Sequence, residues 1–178
     1  MNAAPAIAFR LADAADAPAL AEFMARNFIA AYGHCSTPDN IAAAVAEHYG
    51  VDAQRRQLAD ADRCNLLAVA GDGSIAGHAQ LRFGTAAPPA VAPLPAAELA
   101  RFYVDTTWHG RGIAQAMMAE VRARAAARGA AALWLSVWQE QPQAIRFYEK
   151  EGFRIAGALV FVVGDDPKDD WLMLRALP

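Results

Sequence analysis

The stretch from Glu98 to Phe153 limits the fold more than any other part of the chain. Its centre, His109-Gly110-Arg111-Gly112-Ile113-Ala114, is a glycine-rich turn. An apolar run, Leu99 to Val104, precedes it, and a long helical pattern starts near Gly112. Strand, glycine turn and helix in that order leave consecutive backbone N–H groups pointing out of a helix N-terminus. There the positive end of the helix dipole favours phosphate oxygens. Gly110 and Gly112 carry no Cβ to hold a phosphate away from the backbone. No Lys-Ser or Lys-Thr comes next, which argues against a Walker-type loop, and the glycine spacing does not match G-x-G-x-x-G. On the glycine pair alone, a tight turn that holds nothing stays open.

The residues after the turn narrow the choice. A second strand-like run, Ala132 to Val137, leads into a short helix opened by Pro142, which carries Phe147 and Tyr148 and closes on Glu151-Gly152-Phe153. Together these residues resemble the acetyl-CoA-binding core of the GNAT superfamily of N-acetyltransferases. That pattern is Q/R-x-x-G-x-G/A, then N-x-x-A-x-x-F-Y, then G-F. Gly112, Ala114, Ala144, Phe147, Tyr148, Gly152 and Phe153 match it. His109 stands where Gln or Arg is usual, and Gln141 where Asn is usual.

A chain of 178 residues holds one domain with a proper core, so residues 1–178 are read as one such unit. No apolar run reaches the length of a membrane span, and Met1-Asn2-Ala3-Ala4-Pro5 lacks a signal segment, which together suggest a cytoplasmic protein. A net charge of −3 without a basic stripe argues against nucleic acid as a partner. Cys35 and Cys64 fit no metal-binding or disulfide pattern, so no metal is expected.

Before the core stretch, alternation of Ile7, Phe9 and Leu11 suggests a strand. Pro18 opens a helix with Leu20, Phe23, Met24 and Phe28 on one face, and Thr37-Pro38 caps a second carrying Ile41 and Val45. Asp52 is expected to cap a third, short helix to Ala59. Cys64 to Ala70 and Ser74 to Phe83 read as a hairpin. In its second arm Ile75, Gly77, Ala79 and Leu81 form a buried face, and His78, Gln80 and Arg82 a polar one. A proline-stiffened loop with Pro88, Pro89, Pro93 and Pro95 comes next. Phe153 to Val163 and Asp170 to Leu177 read as a closing hairpin around Gly164-Asp165-Asp166-Pro167, whose edge, with Trp171, suggests a homodimer contact. For this order the resemblance implies an α/β fold. Its central sheet is mixed, largely antiparallel, of about seven strands flanked by helices, with a splayed parallel strand pair in the middle.

The resemblance also implies a chemistry. Acetyl-CoA would place its pyrophosphate on the amides from His109 to Ala114 and run its pantetheine arm along Phe102-Tyr103-Val104. A bulge nearby would turn one N–H, expected to be that of Val104, toward the thioester oxygen. Gln141, capping its helix, Ala144 and Phe147 complete the cofactor side. Tyr148 is the expected general acid for the leaving thiolate; the competing reading is a core aromatic whose hydroxyl is satisfied locally. Glu98, at the start of its strand, is the candidate base acting through water; a solvated residue at a strand entrance is the alternative. His109 titrates near neutrality but lies inside the phosphate loop, and His78 reads as structural.

The acceptor is expected to be a small-molecule amine. Phe28, Tyr32, His34 and the Asp165-Asp166 turn are candidate lining. The segment Phe161 to Asp166 followed by Asp170-Trp171-Leu172-Met173 is similar to a bacterial branch that includes spermidine/spermine acetyltransferases, and acidic residues there would attract a polyamine. Solvated turn carboxylates explain Asp165-Asp166 equally. Two further readings stay open: modification of a protein N-terminus or lysine, and a non-catalytic acetyl-CoA sensor. The proline loop and the helix pair near Tyr32 suggest an enclosed acceptor site, which disfavours the former, and Tyr148 disfavours the latter.

Overall fold

The computed structural model describes residues 6–91, 94–163 and 165–178. Residues 1–5, Pro93 and Gly164, on which the readings of the N-terminus, the proline loop and the last turn partly fell, lie outside them. The elements run β1 (Ile7–Leu11), α1 (Ala17–Tyr32), α2 (Pro38–His48), α3 (Val51–Ala59), β2 (Arg63–Ala70), β3 (Ile75–Arg82), β4 (Ala96–Val104), α4 (Ile113–Ala127), β5 (Ala132–Trp138), α5 (Pro142–Lys150), β6 (Arg154–Val163) and β7 (Asp166–Ala176). One seven-stranded sheet has the order β1-β2-β3-β4-β5-β7-β6. Every neighbouring pair is antiparallel except β4 and β5.

The parallel pair is short. Only Ala96, Ala97 and Glu98 pair with Ala132, Leu133 and Trp134. Beyond them the strands part, leaving Leu99 to Val104 and Leu135 to Trp138 as the walls of a wedge. Each strand is held on its far side, β4 by β3 and β5 by β7. The expected splay is thus present.

Helices cover both sheet faces. Under α4 lies a core of Leu66, Ala79, Leu81, Ala97, Leu99, Met117, Met118, Val121, Leu133 and Leu135. Under α1 and α2 lies a second, in which Leu20, Phe23, Met24 and Phe28 meet Ile41, Tyr49, Leu67 and Val163. Each such large side chain contributes about 1.5–3 kcal/mol by leaving water. The spacing of the α1 residues puts them on one stripe, as the sequence implies. Among the described residues no helix is long and apolar enough to cross a membrane.

Several sequence expectations need correction. The polar face of β3 is not solvated: His78 and Gln80 are both 0% exposed. Asn65 Oδ1 takes contacts from His78 Nε2 at 3.1 Å and Gln80 Nε2 at 2.9 Å, and Gln57 Oε1 accepts from Gln80 and Arg101. Covering by helices on both sides buries this face, and the amide network satisfies it internally. Gly50, not Asp52, is the N-cap residue of α3; Asp52 lies in the first turn and pairs with Arg55 at 3.0 Å. The last hairpin is tighter than expected, with β7 starting at Asp166. The last hairpin does supply a sheet edge, its strand β6, but Trp171 of β7 packs against the α4 core. In the proline loop, buried Val91 packs on Trp134 and Leu172, at the closed end of the wedge rather than over Tyr32.

Candidate active site

The glycine turn lies at the mouth of the wedge. Asp105 starts it: its Oδ1 accepts from the Thr107 amide and hydroxyl, and its Oδ2 meets Arg26 at 3.0 Å. Gly110 and Gly112 take φ of +74° and +77°, the left-handed region that penalises a side chain. A Cβ built at either glycine would have no heavy atom within 4 Å, so the space beside this backbone is open. The His109 amide is spent on Thr106 O at 3.2 Å, which removes it from the expected phosphate seat. The amides of Gly110, Arg111, Gly112, Ile113 and Ala114 have no acceptor among the described residues, and the first backbone bond of α4 runs from Ala116 to Gly112. Ile113 is itself buried and anchors the helix start, while the Arg111 guanidinium lies 5.0 Å above the Trp108 ring. Free amides, a left-handed backbone and the α4 N-terminus together make an anion seat.

Along β4 the ladder decides which groups face the wedge. Asp105 N–H bonds Ala76 O of β3 at 2.9 Å. By alternation the Tyr103 N–H also points to β3, and those of Phe102 and Val104 point to the open side. The Val104 carbonyl on that side accepts from His109 Nε2 at 2.9 Å, a contact the sequence did not suggest. The bulge lies earlier than expected: the register passes from Gln80↔Arg101 to Leu81↔Leu99, leaving Ala100 as the extra residue.

Helix α5 brings Tyr148 to this wall. Its ring lies edge-on to Phe102 at 6.3 Å, Phe147 at 5.5 Å and Phe153 at 5.7 Å, and Phe147 stacks on Phe102 at 5.5 Å. Burial pushes the phenol well above its usual range, and its hydroxyl makes no hydrogen bond to a described residue. Ala144 packs half-buried against the α4 core. Gln141 is the N-cap residue of α5, as expected, but makes no side-chain cap bond; its Nε2 instead donates to Ala31 O at 3.5 Å. Glu98 sits apart, at the last paired step of the wedge, 3.1 Å from Arg82 Nη1. Burial raises its carboxyl, against the pull of Arg82, Arg63 and Arg101.

On the α1 side the acceptor candidates divide. Phe28 is 1% exposed and backs Tyr32 and Tyr49, both at 4.9 Å, so it is support rather than lining. Tyr32 stands 6.0 Å from both Trp138 and Phe161, and exposed His34 lies 6.1 Å from Trp138. Asp166 is not a free lure: its Oδ2 holds Ser36 and Lys168, each at 2.8 Å, and Asp165 is an exposed turn residue. Burial raises the phenols of Tyr32 and Tyr103.

Trp138, Phe161 and Asp170 also stand here, although the sequence names Phe161 and Asp170 only within the branch-like segments and Trp138 not at all. Asp170 is 3% exposed and pairs directly with Trp138 across the β5–β7 ladder. Burial pushes its carboxyl up to about 6, Ser136 pulling it back and Asp169 adding to the rise. Its alternation with Leu172 and Leu174 was the available signal, a charged residue in phase with buried ones.

The model of the acetyltransferase (GNAT) family matches residues 19–153. An uncharacterised N-acetyltransferase of Mycobacterium tuberculosis is 35% identical over 162 residues, 91% of this chain and 98% of that protein. Another, from Lactobacillus delbrueckii subsp. lactis, is 30% identical over 106 residues, 60% and 61% of the two chains. In fold, the chain is similar to the PaiA N-acetyltransferase from Thermoplasma acidophilum solved with coenzyme A, with TM-score 0.76 and 18% identity over 96% of this chain and 99% of that one.

Proposed function

The chain belongs to the acetyltransferase (GNAT) family, and we propose that it moves an acetyl group from acetyl-CoA to a primary amine of a small molecule within a ternary complex. The observation that carries this reading is the wedge between β4 and β5. Free amides stand at its mouth, Phe102 and Val104 N–H groups face its interior, and an unengaged phenol lies beside Phe102.

The amides from Gly110 to Ala114 hold the diphosphate of the donor, where each charge-assisted bond is worth more than a neutral one. Phe102 and Val104 orient the pantetheine arm as an added strand would be, and one of their N–H groups stabilises the charge that develops on the thioester oxygen. His109 occupies the Val104 carbonyl, so a pantetheine amide reaching that oxygen displaces the imidazole. Tyr148 keeps its proton throughout the neutral range, because burial raises its pKa, and gives it to the departing sulfur. Phe147 and Ala144 hold α5 against the wedge.

A polyamine is the finer candidate for the acceptor. With Asp166 tied to Lys168, its support comes instead from the aromatic enclosure at Tyr32, Trp138 and Phe161. Thiol release from acetyl-CoA tests the choice, with spermidine, phenethylamine and a peptide amino terminus as acceptors and Tyr148→Phe as control. Turnover of a small amine that drops in Tyr148→Phe supports the proposal. Turnover of peptide alone selects protein acetylation, and tight acetyl-CoA binding without any turnover selects a sensor.

A further inference from the structure

Asp170 is a buried carboxylate with no countercharge. Its Oδ1 is inaccessible and has no hydrogen-bond partner among the described residues. Leaving such an oxygen unpaired costs about 1–3 kcal/mol, more when it is charged, and an unexplained case calls for a missing partner. The neighbours supply no countercharge. Ser136 from β5 hydrogen-bonds the carboxyl but is neutral, Asp169 on the same strand is anionic, and the Tyr32 phenol from α1 is held protonated in part by the Asp170 charge itself. The cation of this corner, Lys168, lies 5.6 Å from the Trp138 ring, but its Nζ is bound by Asp166 and by Cys35 O, each at 2.8 Å. Among the described residues no arginine or lysine acts on the Asp170 carboxyl.

The surroundings of the carboxylate are aromatic. Trp138 is its direct cross-strand partner, Tyr32 stands 6.0 Å from Trp138, and Phe161 of β6 stands 6.0 Å from Tyr32. Aromatic rings from α1, β5 and β6 clustered beside one carboxylate are the composition that binds an ammonium group, by cation–π attraction and one ion pair. Gln141, at the start of α5, donates to the carbonyl of Ala31 beside Tyr32 at 3.5 Å, so this corner adjoins the helix that carries Tyr148.

Resting on the reading of the chain as an amine acetyltransferase, we infer that Asp170 holds the cationic amino group of the acceptor among Tyr32, Trp138 and Phe161 and removes its proton. Glu98, by contrast, is held beside Arg82, four positions before Phe102 along β4, up to about 13 Å at the usual rise. In the transfer, the ammonium gives one proton to Asp170, which later loses it to solvent. The nitrogen lone pair forms the N–C bond at the thioester carbon, and the C–S bond breaks with its electrons on sulfur. Tyr148 protonates that sulfur and regains a proton from the second N–H through water. Desolvation lowers the pKa of an ammonium and raises that of a carboxylate, so the enclosure brings the two closer and eases the transfer.

The test compares wild type with Asp170→Asn, reading kcat/KM against pH for spermidine and phenethylamine, acetyl-CoA affinity by calorimetry, and amine binding by quenching of tryptophan fluorescence. Asp170→Asn is expected to lose about 100-fold or more in kcat/KM and to abolish an acidic limb centred near pH 6, with acetyl-CoA affinity within about threefold. Phe161→Leu, which leaves the carboxylate in place, is expected to raise the amine KM with acetyl-CoA affinity unchanged. An active enzyme in which Asp170→Asn keeps its rate, or keeps the limb, overturns this assignment alone. A wild type that binds acetyl-CoA but neither turns over nor binds any of these amines overturns it together with the reading of the acceptor.

Discussion

Tyr148 meets Phe102 edge-on, the ring centroids 6.3 Å apart at 67°, so that a helix on one side of the wedge is tied to the strand forming its other wall. The contact fixes where the phenol of the proposed proton donor stands. Tyr148→Phe keeps this packing and removes only the hydroxyl. It should lower kcat about 100-fold or more while acetyl-CoA affinity stays within about threefold, read by thiol release and calorimetry.

Gly112→Ala separates stability from binding. The φ of +77° costs an alanine about 1–2 kcal/mol, and nothing lies within 4 Å of its Cβ to add a clash. Thermal stability should fall only modestly. Acetyl-CoA affinity should fall about tenfold or more, because the methyl group stands in the anion seat. Calorimetry beside a melting curve checks both halves.

Gly77→Ala probes how β3 and β4 are clamped beneath α4. Its Cβ would meet the Tyr103 carbonyl at 3.1 Å and Met117 Sδ at 3.2 Å. Met117 can shift but the strand carbonyl cannot do so cheaply, so a loss of about 1–3 kcal/mol is expected in chemical denaturation. Rates should fall as well, since Tyr103 lies on the wall of the wedge.

The stability of this chain should carry two opposed pH dependences. His78 is held neutral, its pKa pushed down to about 3 by burial and then by Arg101. The unfolded imidazole takes its proton near pH 6.5, so this contribution is full above 6.5 and is lost as pH falls from there toward 3. Asp170 works the other way. Its folded pKa of about 6 exceeds the unfolded value, so the folded state gains stability as pH falls through 6 toward 3.8. Wild type should therefore change little between about pH 7 and pH 5, whereas Asp170→Asn should lose stability steeply over that range. Above pH 6 the same variant should exceed wild type by an amount on the order of 1–3 kcal/mol, read from urea midpoints.

The glycine corner, the order of the elements and the position of Tyr148 could be read from the chain because each depends on local chemistry or fixed spacing. Properties of strand pairs could not. The bulge at Ala100 exists only relative to β3, and the edge role of β6 only once β7 inserts beside β5. That the polar face carrying His78 and Gln80 is buried could not be read, because alternation reports polarity, not coverage, and here helices lie over both faces. Asp170 could be read as the start of the last strand, but its burial depends on its pairing with β5. Gln141 sits at the right place in its helix, yet its amide reaches Ala31 of α1, a partner 110 positions away along the chain.

The most direct measurement is a crystal structure of the chain with coenzyme A. The diphosphate is expected on the amides of Gly110 to Ala114, with the sulfur within hydrogen-bonding reach of the Tyr148 hydroxyl, about 3–4 Å. A diphosphate bound elsewhere, or a Tyr148 hydroxyl turned away from the sulfur, would contradict both the seat and the proton donor proposed for this wedge.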